Sequence, residues 1–221
     1  MLKAFTKTCL ATLLYAAVHS FFASDWAKRS AANVVGPRIR NALYRPFYLA
    51  QSIATMVILV RYIRRQPSRE LFQLKLGTAV AFRGLQAAGF FWAIAAAYEV
   101  KFTEILGIRP LMALLTRAPN IAPEPEAQGP SFDGHNMRAY GPFRWARHPL
   151  NLAPLPILWF NPSITTNLLA FNLMSTAYLV IGSLHEEIRL FNRYGQPYRV
   201  YQRSGVSFYL PQLPRTPRAC P

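Results

Sequence analysis

Acidic residues are scarce in this chain: 9 Asp and Glu stand against 25 Lys and Arg among 221 residues, a formal net charge of +16. Cysteine is scarcer still, with Cys9 in an apolar run and Cys220 near the end. Two cysteines so far apart make no CxxC pair and no zinc spacing, which argues against a metal ribbon and a disulfide framework. No GxGxxG follows a strand pattern, and no GxxxxGK[ST] or HExxH occurs, so the standard nucleotide loops and the zinc-protease helix are excluded. The positive charge itself has two ordinary partners, nucleic acid and an anionic membrane surface. Here the basic residues flank apolar segments instead of lining one exposed face, which argues against nucleic acid.

What the chain has in abundance is apolar sequence, 52% by composition. Five apolar segments stand out, at 5–23, 46–62, 76–98, 147–160 and 164–184. A membrane span needs about 20 mostly apolar residues. Lys3 and Lys7 ahead of the first segment resemble a signal peptide, but His19, the bulky Phe21 and Phe22 and the lack of a small-residue cleavage site favour a retained helix. The third segment, LGTAVAFRGLQAAGFFWAIAAAY, is rich in Ala and Gly, which lets membrane helices approach closely. Asn161-Pro162 marks a turn between the last two segments and predicts a helical hairpin. Its first limb carries Pro149, Pro154 and Pro156 and reaches only ~21 Å as a helix, so it is kinked or falls short of the far surface. The expected fold is all-α: a polytopic membrane helical bundle of about five transmembrane helices, with a C-terminal hairpin and a cytoplasmic tail.

The division expected is 1–98 for three N-terminal spans, 99–146 for a loop or lid, 147–211 for the hairpin and its tail, and 212–221 for an irregular end. The Pro- and Gly-rich stretch 117–142 is too polar for a membrane. Beyond 185 the chain alternates charge with aromatics, predicting an interfacial helix that stops near Gly195 and a short turn bearing Tyr198 and Tyr201. Most Lys and Arg fall in the loops expected at 24–45 and 99–146 and in the tail, which places the C-terminus in the cytoplasm, in keeping with a bacterial inner membrane. The basic loop 61–75, with Arg61, Arg64, Arg65, Arg69 and Lys75, runs against that bias.

If the hairpin closes, Arg144, Arg147 and His148 meet His185, Glu186 and Glu187 at one surface. An interfacial salt bridge with snorkelling arginines is one reading. A polar pocket for a ligand of mixed charge, served by an apolar co-substrate from the bilayer, is the other. Being adjacent, Glu186 and Glu187 are expected on different helix faces, one toward the pocket and one toward solvent. His148 is either functional or a cap on the helix start. Arg83, inside the third segment, either stabilises an anionic acceptor or snorkels outward; His19 and Ser20 either line an acceptor channel or pack the helix.

RHP at Arg147–Pro149 and EEIRLFNRYGQPYRVY at Glu186–Tyr201 resemble the C-terminal signature of the isoprenylcysteine carboxyl methyltransferase and phospholipid methyltransferase superfamily. Glu186, Glu187, Leu190, Tyr194, Gly195, Tyr198 and Tyr201 match it in order, with Phe208 and Pro211 closing. VHSFFASDWAKR and LWFNPSITTNLLAFNLMSTAYLVIGSLHEE resemble the bacterial branch that includes methanethiol S-methyltransferases and histidine-serine membrane proteins associated with denitrification. The resemblance implies an integral-membrane enzyme that moves a methyl group from S-adenosylmethionine to a small or lipid-like acceptor, such as a thiol, among membrane lipids. On that reading Arg147, Glu187 and Arg83 are catalytic, and Arg144, His148, Glu186, Tyr198 and Tyr201 hold the cofactor. Two departures stand out: Asn151 replaces the tyrosine that follows RHPx, and the chain is one residue longer near Ser204–Gly205. Those departures sustain an alternative, a non-catalytic assembly protein on the same scaffold. A third reading is haem held by His19 and His148.

Overall fold

A computed structural model gives the fold, and it describes residues 1–123 and 128–210. Pro211 and the irregular end expected at 212–221 lie outside the described residues. Ten α-helices occur among the described residues: α1 Leu2–Ala23, α2 Asp25–Val35, α3 Pro37–Arg65, α4 Leu76–Glu99, α5 Phe102–Ile105, α6 Ile108–Leu115, α7 Pro149–Leu152, α8 Pro154–Trp159, α9 Thr166–Tyr194 and α10 Gln196–Arg203. Four short strands accompany them: β1 Glu70–Gln73, β2 Ser131–Phe132, β3 Met137–Arg138 and β4 Ser163–Thr165. The strands form two antiparallel pairs, β1 with β4 and β2 with β3.

The chain is a mostly helical membrane protein. Three described helices, α3, α4 and α9, are long and apolar enough to cross a bilayer. Helix α1 has the length but, with Thr8, Thr12 and His19 along it, is not among those three. The segment 147–160 forms no single limb. Pro154 cannot donate to the preceding turn, so the chain breaks at Ala153 into the short helices α7 and α8. Two side chains of α4 serve carbonyls on this broken stretch: Trp92 Nε1 donates to Pro149 O (3.1 Å) and Gln86 Nε2 to Ile157 O (2.7 Å). Gly89 lets α4 come that close, because a Cβ there would stand 3.0 Å from Ala153 O and 3.0 Å from Pro156 Cβ.

Two compact units emerge. One gathers α1, α2, α3, α6, β1, β4 and the start of α9; the other gathers α4, α7, α8, β2, β3, α10 and α9 from Thr176. In the first, the stretch 24–45, expected as a loop, is helical. Ser24 accepts from Ala27 N (3.2 Å) to open α2, Gly36 ends it at φ +82°, and Pro37 starts α3. In the second, α9 runs on past the apolar run that ends at Leu184, with no break before the polar HEEIRLFNRY. The expected separate interfacial helix is thus the last three turns of α9, and Gly195 at φ +60° ends it. Around Leu190, Tyr198 and Tyr201 lies a small core joined by Met137, Ala139, Phe191 and Val206.

Candidate active site

The hairpin closes as the sequence implies. Trp159 Nε1 donates to Thr176 Oγ1 (2.9 Å) and Asn151 Nδ2 to Ser183 Oγ (2.8 Å), which aligns α7–α8 antiparallel to α9. This register brings His148, just ahead of α7, against Glu186 and Glu187, beyond the apolar part of α9. His148 Nδ1 lies 3.1 Å from Glu186 Oε2, and Nε2 lies 2.7 Å from Glu187 Oε1. The expectation that one glutamate turns to solvent is therefore corrected. A fully buried imidazole is wedged between the two helix positions, and each long side chain reaches one ring nitrogen.

A carboxylate only accepts. With one facing each nitrogen, the ring satisfies both by carrying both protons, as an imidazolium. Burial opposes the charge, but hydrogen bonds to Glu186 and then Glu187 outweigh it and raise the His148 pKa above its ordinary value. For Glu187, burial alone would push the pKa up. Hydrogen bonds from His148, Arg147 and Gln202 win, and hold it down to about 2.

The two carboxylates differ in how many donors they hold among the described residues. Glu187 Oε1 accepts from Arg147 Nε (2.9 Å), His148 Nε2 and Tyr198 Oη (3.0 Å), while Oε2 accepts from Gln202 Nε2. Three donors crowd the two lone-pair sites of Oε1, and Oε2 holds one. Glu186 accepts three: Gln128 N on Oε1 (3.0 Å), and His148 and Asn151 Nδ2 (3.2 Å) on Oε2. Its side chain is 20% exposed, against 14% for Glu187.

The tail straps this cluster. Arg147 N donates to Ser207 O (2.8 Å) and its guanidinium to Val206 O (2.7 Å). The Phe208 ring lies 4.9 Å from the His148 ring and 5.7 Å from the Arg147 guanidinium carbon. Tyr209 Oη meets Ser183 Oγ at 2.7 Å and donates to Leu179 O at 2.8 Å. So Asn151, where the signature has a tyrosine, connects through Ser183 to a tyrosine from the tail.

The structure thus joins Arg147, His148, Glu186, Glu187 and Tyr198. Tyr201 stands behind them, its hydroxyl on Phe143 O (2.6 Å), and both tyrosine rings are buried. Burial pushes both phenols well above the tyrosine range, so they act as donors. Arg144 is exposed on the 3-10 turn Gly141–Arg144, with no hydrogen-bond partner among the described residues. Arg83 is exposed on α4 and donates to Gln86 Oε1 (2.8 Å); no described bond ties it to the cluster. In the first unit, His19 meets Tyr48 Oη (2.6 Å) and Ser52 Oγ (3.0 Å) through its two ring nitrogens. Both ring nitrogens of His148 and of His19 are thus engaged within the protein. Gln202, Ser183 and Tyr209 escaped the sequence reading. Two of them carry a helical signal: Gln202 follows Tyr198 by four residues on α10, and Ser183 precedes Glu186 by three on α9.

Relatives carry the same extended sequence. The methanethiol S-methyltransferase of Pseudomonas deceptionensis is 30% identical over 207 residues, 92% of this chain and 71% of the relative. This chain belongs to the methanethiol S-methyltransferase family. The proteins of that name from Mycobacterium tuberculosis (25% identity, 90% of this chain, 74% of the relative) and Bradyrhizobium diazoefficiens (26%, 90% and 70%) are similar over the same extent. No family model matches the chain, and no solved structure is significantly similar to it. Membership makes the protein a membrane methyltransferase, which needs a methyl donor and a small-molecule acceptor; the assembly-protein reading is not favoured.

Proposed function

We propose that this methyltransferase transfers a methyl group from S-adenosylmethionine to a small thiol at the site around His148. The observation that carries the proposal is the buried His148 ring held between Glu186 and Glu187, with Glu187 tied to three further side chains and Glu186 the more exposed of the two. Glu187 is a brace: four donors converge on it, three of them on Oε1, and it fixes Arg147, His148, Tyr198 and Gln202 to one point. Glu186 keeps one accepting site and some exposure, which suits an ammonium or a ribose hydroxyl of the donor. Arg144, exposed at the mouth of the same hairpin, suits the donor's carboxylate in a bidentate pair. Tyr198 and Tyr201, enclosed in the core, hold α10 rather than stack on a base. The residues present therefore fit the group.

The bound donor supplies an electrophilic methyl on a sulfonium. The protein's part is alignment and exclusion of water. Phe208 covers His148 and Arg147 on the tail side. His148, with both nitrogens donating, is in no state to accept the thiol's proton, so it orients Glu186 instead of acting as a base. The attacking sulfur is a thiolate, and the methyl passes from one sulfur to the other as the thiol's proton is released to solvent. In this proposal segment 147–211 carries the donor site, segment 99–146 contributes Gln128 and Arg144 to its edge, and 1–98 anchors the protein in the membrane. The thiol preference rests on the relatives, which are named for methanethiol.

Calorimetry on detergent-purified protein tests the donor. Binding is expected in the wild type, lost in His148→Ala, and weakened about tenfold in Arg144→Gln at unchanged melting temperature. Headspace detection of the methylated sulfide after adding methanethiol tests the acceptor. Wild-type protein that is folded yet binds no S-adenosylmethionine would refute the reading.

A further inference from the structure

The amide of Asn151 is aimed by a chain of hydrogen bonds that begins in the tail. A carbonyl only accepts, so Tyr209 Oη gives its proton to Leu179 O (2.8 Å). The Ser183 hydroxyl therefore donates to Tyr209 Oη (2.7 Å), and its oxygen accepts from Asn151 Nδ2 (2.8 Å). The second hydrogen on Nδ2 goes to Glu186 Oε2 (3.2 Å), a carboxylate oxygen that also only accepts. Turned over, the amide would set oxygen against oxygen at Glu186, so the chain fixes which amide atom points where. Ser183, at its centre, is fully buried.

This leaves Asn151 Oδ1. It takes no hydrogen bond from any described residue. Nor is it sealed off: Asn151 is half-buried, and its oxygen keeps contact with solvent. Beside it stands Glu186, 20% exposed, which holds Gln128 N, His148 and Asn151 and has room for a further donor. Two reachable acceptors, one neutral and one charged, thus lie side by side at the lip of the hairpin.

The charges of the cluster narrow what fits there. Arg147 and the imidazolium of His148 are matched by Glu186 and Glu187. A cation seated on Glu186 would leave one positive charge unmatched beside a buried imidazolium. Two hydroxyls add no charge and satisfy both acceptors. Vicinal hydroxyls on one ring are two such donors held side by side.

We propose that Asn151 Oδ1 and Glu186 together read the ribose diol of the methyl donor, each accepting from one hydroxyl. This rests on S-adenosylmethionine being the donor. It assigns Glu186 to the sugar and leaves the donor's ammonium at the exposed mouth, beside the carboxylate on Arg144. Asn151 is then a binding residue, and Ser183 and Tyr209 are positioning residues that aim it.

The test is calorimetry of the detergent-purified full chain with S-adenosylhomocysteine and its 2′-deoxy and 3′-deoxy forms. Wild-type protein is expected to bind each deoxy form about tenfold more weakly than the parent. In Asn151→Leu the parent weakens about tenfold. One deoxy form then binds as well as the parent, while the other still loses about tenfold through Glu186. Ser183→Ala, which lets the amide turn, shrinks the same difference that Asn151→Leu abolishes. Equal binding of all three ligands by wild type overturns the proposal, needs no variant, and leaves the donor site standing. Uniform weakening in Asn151→Leu with both differences kept makes Asn151 a merely structural residue and also overturns it. Discrimination in Ser183→Ala identical to wild type removes the aiming chain. Folded wild type that binds none of the three refutes the donor reading, and this proposal with it.

Discussion

At the scale of single residues, the His148 cluster sets a window of pH. Glu187 has its pKa lowered from 4.5 to about 2, so its contribution to stability is complete above 4.5 and is lost as pH falls toward 2. His148 has its pKa raised above 6.5, so its contribution is complete below 6.5 and is lost as pH rises through the raised value. The melting temperature is expected to plateau between about pH 4.5 and 6.5 and to fall on both sides. Glu187→Gln removes the acid limb and costs about 3 kcal/mol, because Arg147 then has no carboxylate partner and His148 keeps only Glu186. A thermal scan of both proteins across pH 3–9 checks this; an unchanged acid limb in the variant would place the titration elsewhere. The sequence announced these residues by type and order, through RHP and EE. It could not announce that both glutamates turn to one ring, because helical periodicity puts neighbours about 100° apart and is silent on what a long side chain can reach. Gln202, Ser183 and Tyr209 were illegible for a related reason: a polar residue in a helix takes its meaning from the partner across the gap.

At the scale of elements, proline and glycine decide the hairpin. Pro149, Pro154 and Pro156 were legible as breakers, and the broken limb followed. That α4 would repair the break with Trp92 and Gln86 was not legible, since it depends on which face of an apolar helix turns inward, and α4 is apolar nearly all round. Gly89 is where this repair is most exposed to mutation. Gly89→Val is expected to drive a branched side chain into Ala153 O and Pro156 and cost about 1–3 kcal/mol. Gly84→Val, on the same helix with nothing within 4 Å, is expected to leave the melting temperature alone. Equal losses in the two variants would mean that α4 does not meet α8 through Gly89. The stretch 24–45 shows the opposite failure. Its charges suggested a loop, yet Ser24, Gly36 and Pro37 are the punctuation of two helices.

At the scale of the whole molecule, a membrane helical protein was legible from composition and apolar run length alone, because lipid leaves the backbone few options. The count of spans was less so: α3, α4 and α9 carry the signal strongly, whereas α1 and 147–160 depend on context that hydropathy averages away. For orientation, the distribution of Lys and Arg predicts a cytoplasmic C-terminus. A fluorescent protein fused after Pro221 is expected to fluoresce in intact bacteria, and alkaline phosphatase at the same point to stay inactive. Active phosphatase would reverse the topology. One further consequence follows from the way residues 206–210 fasten Arg147 and cover His148. These residues follow the hairpin along the chain, so the ribosome adds them after it, and the hairpin enters the bilayer while its charged lip is still loose. Assembly therefore runs in a fixed order, spans first and the cluster around His148 afterwards, and the cluster stays open until residues 206–210 have followed the hairpin out of the ribosome.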